Sequence, residues 1–180
     1  MSRALIIVDY QNDFTPPDGA LAVPEGDEIA ERINALAASG DYDLVVATRD
    51  WHPPDHGSFK EQGGPWPVHC VAGTTGAELD PALDTGTVDV VVDKGQDPAT
   101  EGYSGFEGTE LATLLHDRGV DHVTVVGLAT DYCVKNTALD ALREGFSVTV
   151  DSTATRGVDV EEGDSERALD EVRAAGASVA

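Results

Sequence analysis

Cys133 stands at a point in the chain where a thiol could act as a nucleophile. A Val-rich run ends at Gly127, a short polar cluster follows, and a helical pattern begins close to the cysteine. A thiol reacts as its thiolate, and a free thiol with a pKa of about 8.5 is mostly protonated at neutral pH. If Thr130 or Asp131 caps this helix, Cys133 lies in the first turn, where free N–H groups and the helix dipole favour an anion.

Two further residues supply the partners that such a thiol needs. Asp9 and Lys94 each follow a short β-branched run, so we expect both at the same edge of a parallel sheet. Asp9 would accept the thiol proton, and Lys94 would hold that carboxylate and stabilise developing negative charge. Each of the three residues alone has an ordinary alternative. Cys133 could be a small buried hydrophobe, Asp9 could cap a loop, and Lys94 could be a solvated charge at the end of a strand. Their coincidence at successive strand ends favours the chemical interpretation.

The segments RDWHPPDHGSF and PWPVHC indicate a metal site. They contain Asp50, His52, His56 and His69, which include three of the five histidines in the chain. An Asp and a His separated by one residue on an extended segment point the same way. Two or three imidazoles with one carboxylate suit Zn²⁺, Fe²⁺ or Mn²⁺, with open positions for water. The alternative is that these histidines are ordinary turn residues in a Pro-rich loop.

The elements that must position these residues alternate along the chain. Apolar runs predict buried parallel strands at residues 4–8, 43–48, 88–92, 122–127 and 146–150, with a short last strand near Ser178. Helical patterns lie at residues 28–40, 109–119, 131–145 and 161–175. This alternation predicts an α/β fold, a three-layer αβα sandwich with a mostly parallel, roughly six-stranded sheet, in a single domain over residues 1–180. The long segment 51–87 interrupts the alternation, as functional loops do.

The acidic composition disfavours several classes of function. The net charge of −23 argues against a nucleic-acid partner, because phosphate contacts need clustered Lys and Arg. No apolar run reaches the length of about 18 residues that would predict a membrane span, and the first run meets Asp9 too early for a signal peptide. We therefore expect a cytoplasmic protein that acts on a small molecule. We also expect Cys70 and Cys133 to be unpaired. The sequence leaves open whether the protein forms a homo-oligomer.

Six stretches, taken together and in order, resemble the nicotinamidases of the isochorismatase-like cysteine hydrolases. They are IIVDYQNDF, TRDWHPPDHGSF, WPVHCVAGT, DKG, YSGFEGTEL and VVGLATDYCVKNTALDA, and the likeness covers essentially the full length. The resemblance implies that Asp9, Lys94 and Cys133 form a catalytic triad. It also implies one divalent metal ion, with zinc expected first and iron or manganese as alternatives. The implied ligands are Asp50, His52 and His69; His56 is left out, because spacing in this loop varies.

The resemblance also implies a substrate pocket and a reaction. Apolar walls around a flat ring are implied at Phe14, Leu21, Trp66 and Tyr103. The Leu128–Ala129 peptide resembles the family's cis non-proline bond, and the N–H groups of Ala129 and Cys133 would form an oxyanion hole. The implied reaction is hydrolysis of nicotinamide to nicotinate and ammonia, in NAD salvage, through a thioester on Cys133.

Two alternatives to this reaction remain at the level of the sequence. The nearest is a related amidase acting on another carboxamide or carbamoyl group, although Phe14, Trp66 and the metal loop favour a heteroaromatic amide. From another class, the chain could be a metal-binding or scaffolding protein without turnover. Isochorismate hydrolysis is disfavoured, because cleavage of a vinyl ether does not call for a thiol nucleophile.

The excess of negative charge predicts that salt stabilises the folded protein. A chain with a net charge of −23 repels itself at low ionic strength, and we infer a protein suited to a salt-rich cytoplasm. Raising NaCl from about 0.01 M to about 1 M shortens the Debye length from about 30 Å to about 3 Å, so the melting temperature should rise. Equal melting temperatures at the two concentrations would instead indicate an acidic surface without salt adaptation.

Overall fold

One sheet of six strands runs through the molecule, and the computed structural model describes all 180 residues. The strands are β1 Ser2–Val8, β2 Leu44–Asp50, β3 Val90–Lys94, β4 Val120–Leu128, β5 Ser147–Arg156 and β6 Ser178–Val179. Their order in the sheet is β3-β2-β1-β4-β5-β6, and every neighbouring pair is parallel. The predicted α/β fold with a roughly six-stranded parallel sheet is confirmed.

Helices cover both faces of this sheet. They are α1 Ala30–Ala37, α2 Leu111–Asp117, α3 Lys135–Arg143 and α4 Asp164–Ala175. Side chains of β1 alternate, so that Ala4, Ile6 and Val8 pack with α2, α3 and α4, whereas Leu5 and Ile7 pack with α1 and the long loops. Because both faces are covered, all five are fully buried and β1 reads as a continuous apolar run. None of the four helices combines the length and apolarity that crossing a bilayer requires.

The predicted bounds differ from the observed ones where polar residues occur within an element. The sequence predicts that the fifth strand ends at Val150, but β5 continues to Arg156 and rejoins β4 after a register irregularity. The strand predicted over 88–92 lies two residues later, so that Lys94 is itself the last residue of β3. The helix predicted over 28–40 is shorter, because a 3₁₀ turn at Gly26–Ile29 precedes α1.

The strand order creates a crevice at the carboxyl ends of β1 and β4. From β1 the chain builds outward through β2 and β3, and it then crosses to the other side of β1 to form β4, β5 and β6. Loops leave the two central strands in opposite directions at such a switch point, which opens a ligand-binding crevice there. Asp9 follows β1, and the turn that carries Cys133 follows β4, so both predicted residues flank this crevice.

Candidate active site

Four neighbouring strands deliver the predicted reactive residues to one edge of the sheet. Asp50 and Lys94 end β2 and β3 and are register partners, which makes their contact a cross-strand pair. Asp9 directly follows β1, and Cys133 lies in the turn after β4. All four are buried, with between 0% and 6% of their surface exposed. The structure therefore brings together residues that are up to 124 positions apart, from Asp9 to Cys133.

The ammonium of Lys94 lies at the centre of this cluster. Its Nζ is 2.8 Å from Asp9 Oδ2 and 2.6 Å from Asp50 Oδ1, and it donates a hydrogen bond to the Gly102 carbonyl at 2.8 Å. Cys133 Sγ lies 3.4 Å from the same nitrogen. Burial alone lowers the pKa of Lys94, but the two carboxylates and the thiol outweigh it and raise the pKa well above its ordinary value. Lys94 therefore stays charged and can stabilise an anion on any of these groups.

Asp9 is held firmly although its backbone conformation is uncommon. Its φ of 49° lies in the left-handed region, which costs on the order of 1 kcal/mol for a residue with a Cβ atom. The Asp9 N–H donates to the Thr48 carbonyl at 3.1 Å, and the Thr48 hydroxyl donates to Asp9 Oδ1 at 2.8 Å. Burial raises the pKa of Asp9 to about 6, against the lowering effect of Lys94. The carboxylate is thus ionised at neutral pH and more basic than an ordinary aspartate.

The turn that carries Cys133 is not capped as the sequence predicts. A π-helical turn, Thr130–Val134, leads into α3, and no side chain caps it. The Thr130 hydroxyl instead donates to a threonine hydroxyl of β5 at 2.8 Å, and the Asp131 carboxylate accepts two N–H groups from the loop after β5. The predicted cap is wrong because both side chains have partners across the fold. Cys133 still lies in the first helical turn after β4.

The protonation state of Cys133 also differs from the one that a helix start favours. Burial raises the pKa of the Cys133 thiol well above its ordinary value; Lys94 lowers it, and the carboxylates of Asp9 and Asp50 raise it further. The resting group is therefore a neutral thiol. Carboxylate oxygens of Asp9 and Asp50 and the Cys133 sulfur all lie within 4.8 Å of one another. A base is thus close enough to take the thiol proton as the sulfur attacks.

Asp50, His52 and His69 converge beside this cluster. The Nε2 atoms of the two histidines lie 3.3 Å and 3.8 Å from Asp50 Oδ2, and the three potential ligand atoms lie within 4.8 Å of one another. His52 Nδ1 contacts the Gly95 carbonyl at 2.6 Å, and His69 Nδ1 contacts the Pro67 carbonyl at 2.8 Å. Because a carbonyl only accepts, each Nδ1 carries a proton and each Nε2 is directed at Asp50 Oδ2; the Nε2 lone pairs become available to a metal ion once these nitrogens are deprotonated.

The charges of this trio suit a divalent cation. Burial raises the pKa of Asp50, but Lys94 and the two histidines outweigh burial and hold it below its ordinary value. Burial lowers the pKa of His69, whereas the hydrogen bond with Asp50 outweighs burial and raises the pKa of His52. One carboxylate with two imidazoles is a donor set that Zn²⁺, Fe²⁺ and Mn²⁺ accept.

His56 lies next to the trio and leaves one ring nitrogen without a partner. It is fully buried, and its ring centroid is 3.9 Å from that of His52. Its Nδ1 accepts from the Ser58 N–H at 3.2 Å, whereas its Nε2 has no hydrogen-bond partner. Burial and the neighbouring His52 lower the pKa of His56 to about 4, so the ring is neutral. A buried polar atom without a partner fits a site that receives a group from outside the protein chain.

A pocket opens onto the cluster, and Asp50, His69 and Cys133 line it. The four residues predicted for its walls all line it: Phe14, Leu21, Trp66 and Tyr103. Ala129, predicted for the oxyanion hole, lines it as well. The Leu128–Ala129 peptide is cis, as the resemblance implies. Five lining residues are absent from the sequence prediction: Val23, Ser58, Glu101, Tyr132 and Val158.

Three aromatic side chains that line this pocket contact one another. The Trp66 indole N–H donates to the Tyr103 hydroxyl at 3.2 Å, and the Tyr132 ring packs edge-on against Trp66 at 5.0 Å between centroids. Tyr132 directly precedes Cys133, so its position beside the pocket could have been inferred from the sequence. Val158 comes from the loop after β5, beyond the predicted end of that strand, and no sequence signal points to it.

This fold and this edge cluster agree with the family that the sequence resembles. The chain belongs to the isochorismatase domain family, whose match spans residues 3–180. A nicotinamidase/pyrazinamidase of Mycobacterium tuberculosis is 47% identical over 182 residues, which cover 96% of this chain and 95% of that protein.

Solved structures agree with this assignment. PnC1 from L. infantum in complex with nicotinate superposes with a TM-score of 0.95 at 38% identity, covering 99% of this chain and 92% of that one. The pyrazinamidase of Pyrococcus horikoshii in complex with zinc gives a TM-score of 0.88 at 46% identity, covering 100% and 99%. The resemblance inferred from the sequence is confirmed.

Replacing Lys94 by methionine should strongly destabilise the fold. The variant leaves two buried carboxylates without their cation, so we expect a loss of about 3–5 kcal/mol in the free energy of unfolding, measured in urea at pH 7 with a chelator present. Without Lys94 the pKa of Asp9 rises further above its unfolded value, so the folded variant binds protons more tightly than the unfolded chain. Because the pKa of Asp9 is about 6 in the wild type and higher in the variant, the loss should shrink as the pH falls from about 8 to about 6, where Asp9 is protonated in the folded variant before it is protonated in the wild type.

A matched control for this prediction is Lys135→Met. Lys135 is partly exposed and contacts Glu171 at 3.4 Å, so its removal should cost less than about 1 kcal/mol at any pH in this range. Equal losses in the two variants would contradict the central role of the Lys94 charge.

Proposed function

We propose that the protein is a nicotinamidase, which hydrolyses nicotinamide to nicotinate and ammonia and so serves NAD salvage. The observation that carries the proposal is the buried contact of Lys94 with Asp9, Asp50 and Cys133, at the base of an aromatic pocket. The 47% identity to a nicotinamidase/pyrazinamidase and the close superposition on a nicotinate complex support the choice of substrate.

We assign the first step to Cys133. Its sulfur attacks the carboxamide carbon while Asp9 takes the thiol proton, and the carbonyl oxygen becomes an oxyanion that the N–H groups of Ala129 and Cys133 bind. The C–N bond then breaks, and Asp9 returns the proton to the leaving nitrogen, which departs as ammonia. A nicotinoyl thioester remains on Cys133. Lys94 keeps the Asp9 carboxylate in place throughout, because its charge does not titrate in this range.

The second step regenerates the thiol. Asp9 is again a carboxylate and takes a proton from a water molecule, whose oxygen attacks the thioester carbon. The C–S bond breaks, and the thiolate recovers a proton from Asp9. The sum of both steps is one amide and one water giving one carboxylic acid and one ammonia. A base with a pKa of about 6 can both accept and return this proton near neutral pH.

We propose that Asp50, His52 and His69 bind one divalent ion, and zinc is the ion that we expect first. The two Nε2 lone pairs and one carboxylate are the donors, and their potential ligand atoms lie within 4.8 Å of one another. When bound, such an ion would supply a Lewis acid that holds the pyridine nitrogen of the substrate. The ring itself would rest between Phe14 and the aromatic side chains of the pocket.

The test is ammonia release from nicotinamide by the purified protein, in high salt with metal retained. We expect turnover, and we expect Cys133→Ala to lower it by about 10⁴-fold or more, because the nucleophile is lost. The matched control is Cys70→Ala, which removes the other buried thiol of the chain and should retain turnover within about tenfold, since that sulfur makes only a 3.9 Å contact with a carbonyl oxygen.

The outcomes of this test separate the alternatives. Turnover that survives in Cys133→Ala would contradict the mechanism. A folded, metal-loaded wild type that leaves nicotinamide intact would contradict the substrate, and would direct the assay to other carboxamides and carbamoyl compounds.

A further inference from the structure

Gln11 is a fully buried polar residue that the proposed mechanism does not use. Its side-chain amide makes three hydrogen bonds, each 2.8 Å long. The Oε1 atom accepts from the Asp50 N–H, and the Nε2 atom donates to the Asp50 carbonyl and to the Ala77 carbonyl. Both backbone polar groups of Asp50 are thus bound by one side chain.

The position of Gln11 follows from where β1 ends. Pairing of β1 with β2 stops at Val8 and Thr48, because Asp9 turns the chain with a φ of 49°. The last two residues of β2 therefore have no β1 backbone beside them. At Asp50 the side-chain amide of Gln11 supplies one acceptor and one donor, as the backbone of a neighbouring strand would. It thus satisfies the buried N–H and carbonyl of Asp50, which would otherwise lack a partner on the side facing β1.

The same short segment also contacts the loop that carries His69. Asp13 Oδ2 accepts from the Cys70 N–H at 2.7 Å, and Cys70 has a φ of 47°. The backbone of Gln11 pairs with Leu79 as an isolated antiparallel bridge, next to the side-chain contact with Ala77. Gly76 lies so close to the Asp13 carboxylate that a Cβ atom at this position would clash with it.

We propose that Gln11 is a positioning residue that sets the metal affinity of the site through the backbone of Asp50. The two oxygens of the Asp50 carboxylate have different tasks, since Oδ1 contacts Lys94 and Oδ2 faces His52 and His69. A small rotation of the Asp50 backbone would move Oδ2 away from the histidines. Residues that orient metal ligands typically change metal affinity by about 10–100-fold when they are replaced. This inference rests on the proposed metal site.

The test measures metal binding rather than turnover. Dissociation constants for Zn²⁺ are obtained by competition with a chelator, and the visible absorption of the Co²⁺-loaded protein reports the ligand geometry. In Gln11→Met, which removes all three hydrogen bonds, we expect the Zn²⁺ dissociation constant to rise about 10–100-fold and the Co²⁺ absorption to change. In Gln11→Glu the carboxyl group should stay protonated, because it is buried against two carbonyl oxygens; it then keeps the acceptor for the Asp50 N–H and one of the two donated bonds, so its affinity should lie between the wild type and Gln11→Met.

Gln62→Met is the matched control, because Gln62 is exposed. It should leave the Zn²⁺ dissociation constant and the Co²⁺ spectrum unchanged. If Gln11→Met fails to fold, Gln11→Glu carries the test. A folded Gln11 variant with a lower melting temperature but wild-type affinity and spectrum would overturn the proposal and leave Gln11 with a structural role. A wild type that binds neither ion would overturn the metal site itself, and this inference with it.

Discussion

The buried ammonium of Lys94 is the interaction on which the rest of the site depends. It lies within 2.8 Å of two carboxylates and a carbonyl, and 3.4 Å from the only thiol that lines the pocket. Without a cation, two carboxylates this close and this buried could not both stay ionised. The sheet secures the contact, because Lys94 and Asp50 are register partners on adjacent strands. Asp50 then extends the network through its second oxygen to His52 and His69, so the proposed nucleophile and the proposed metal share one carboxylate.

Much of this arrangement could be predicted from the sequence, for a physical reason. Strands buried on both faces read as continuous apolar runs, and in a parallel sheet their carboxyl ends meet at one edge. The polar residue that follows each run is therefore a good predictor of the site, which places Asp9, Asp50, Lys94 and the Cys133 turn together without knowledge of the strand order. The Asp50-x-His52 spacing predicted that these two side chains converge, because residues two apart on an extended segment point the same way, and His52 Nε2 lies 3.3 Å from Asp50 Oδ2.

Other features depend on contacts that no local pattern carries. The uncapped turn at Cys133 arises because Thr130 and Asp131 bond to β5 and to the loop beyond it, which are distant in sequence. The neutral Cys133 thiol is likewise a result of burial and of the total charge around it, since a helix start alone favours the thiolate. Val158 reaches the pocket only because β5 continues past Val150 through polar residues.

The most direct measurement of the central claim is a rapid acid quench of the first turnover with nicotinamide, followed by quantification of ammonia, nicotinate and the mass of each cysteine-containing peptide. The account predicts that ammonia appears before nicotinate, and that the difference is recovered as a nicotinoyl group on the peptide that contains Cys133. Simultaneous release of ammonia and nicotinate, with no acyl group on Cys133 at any quench time, would contradict it.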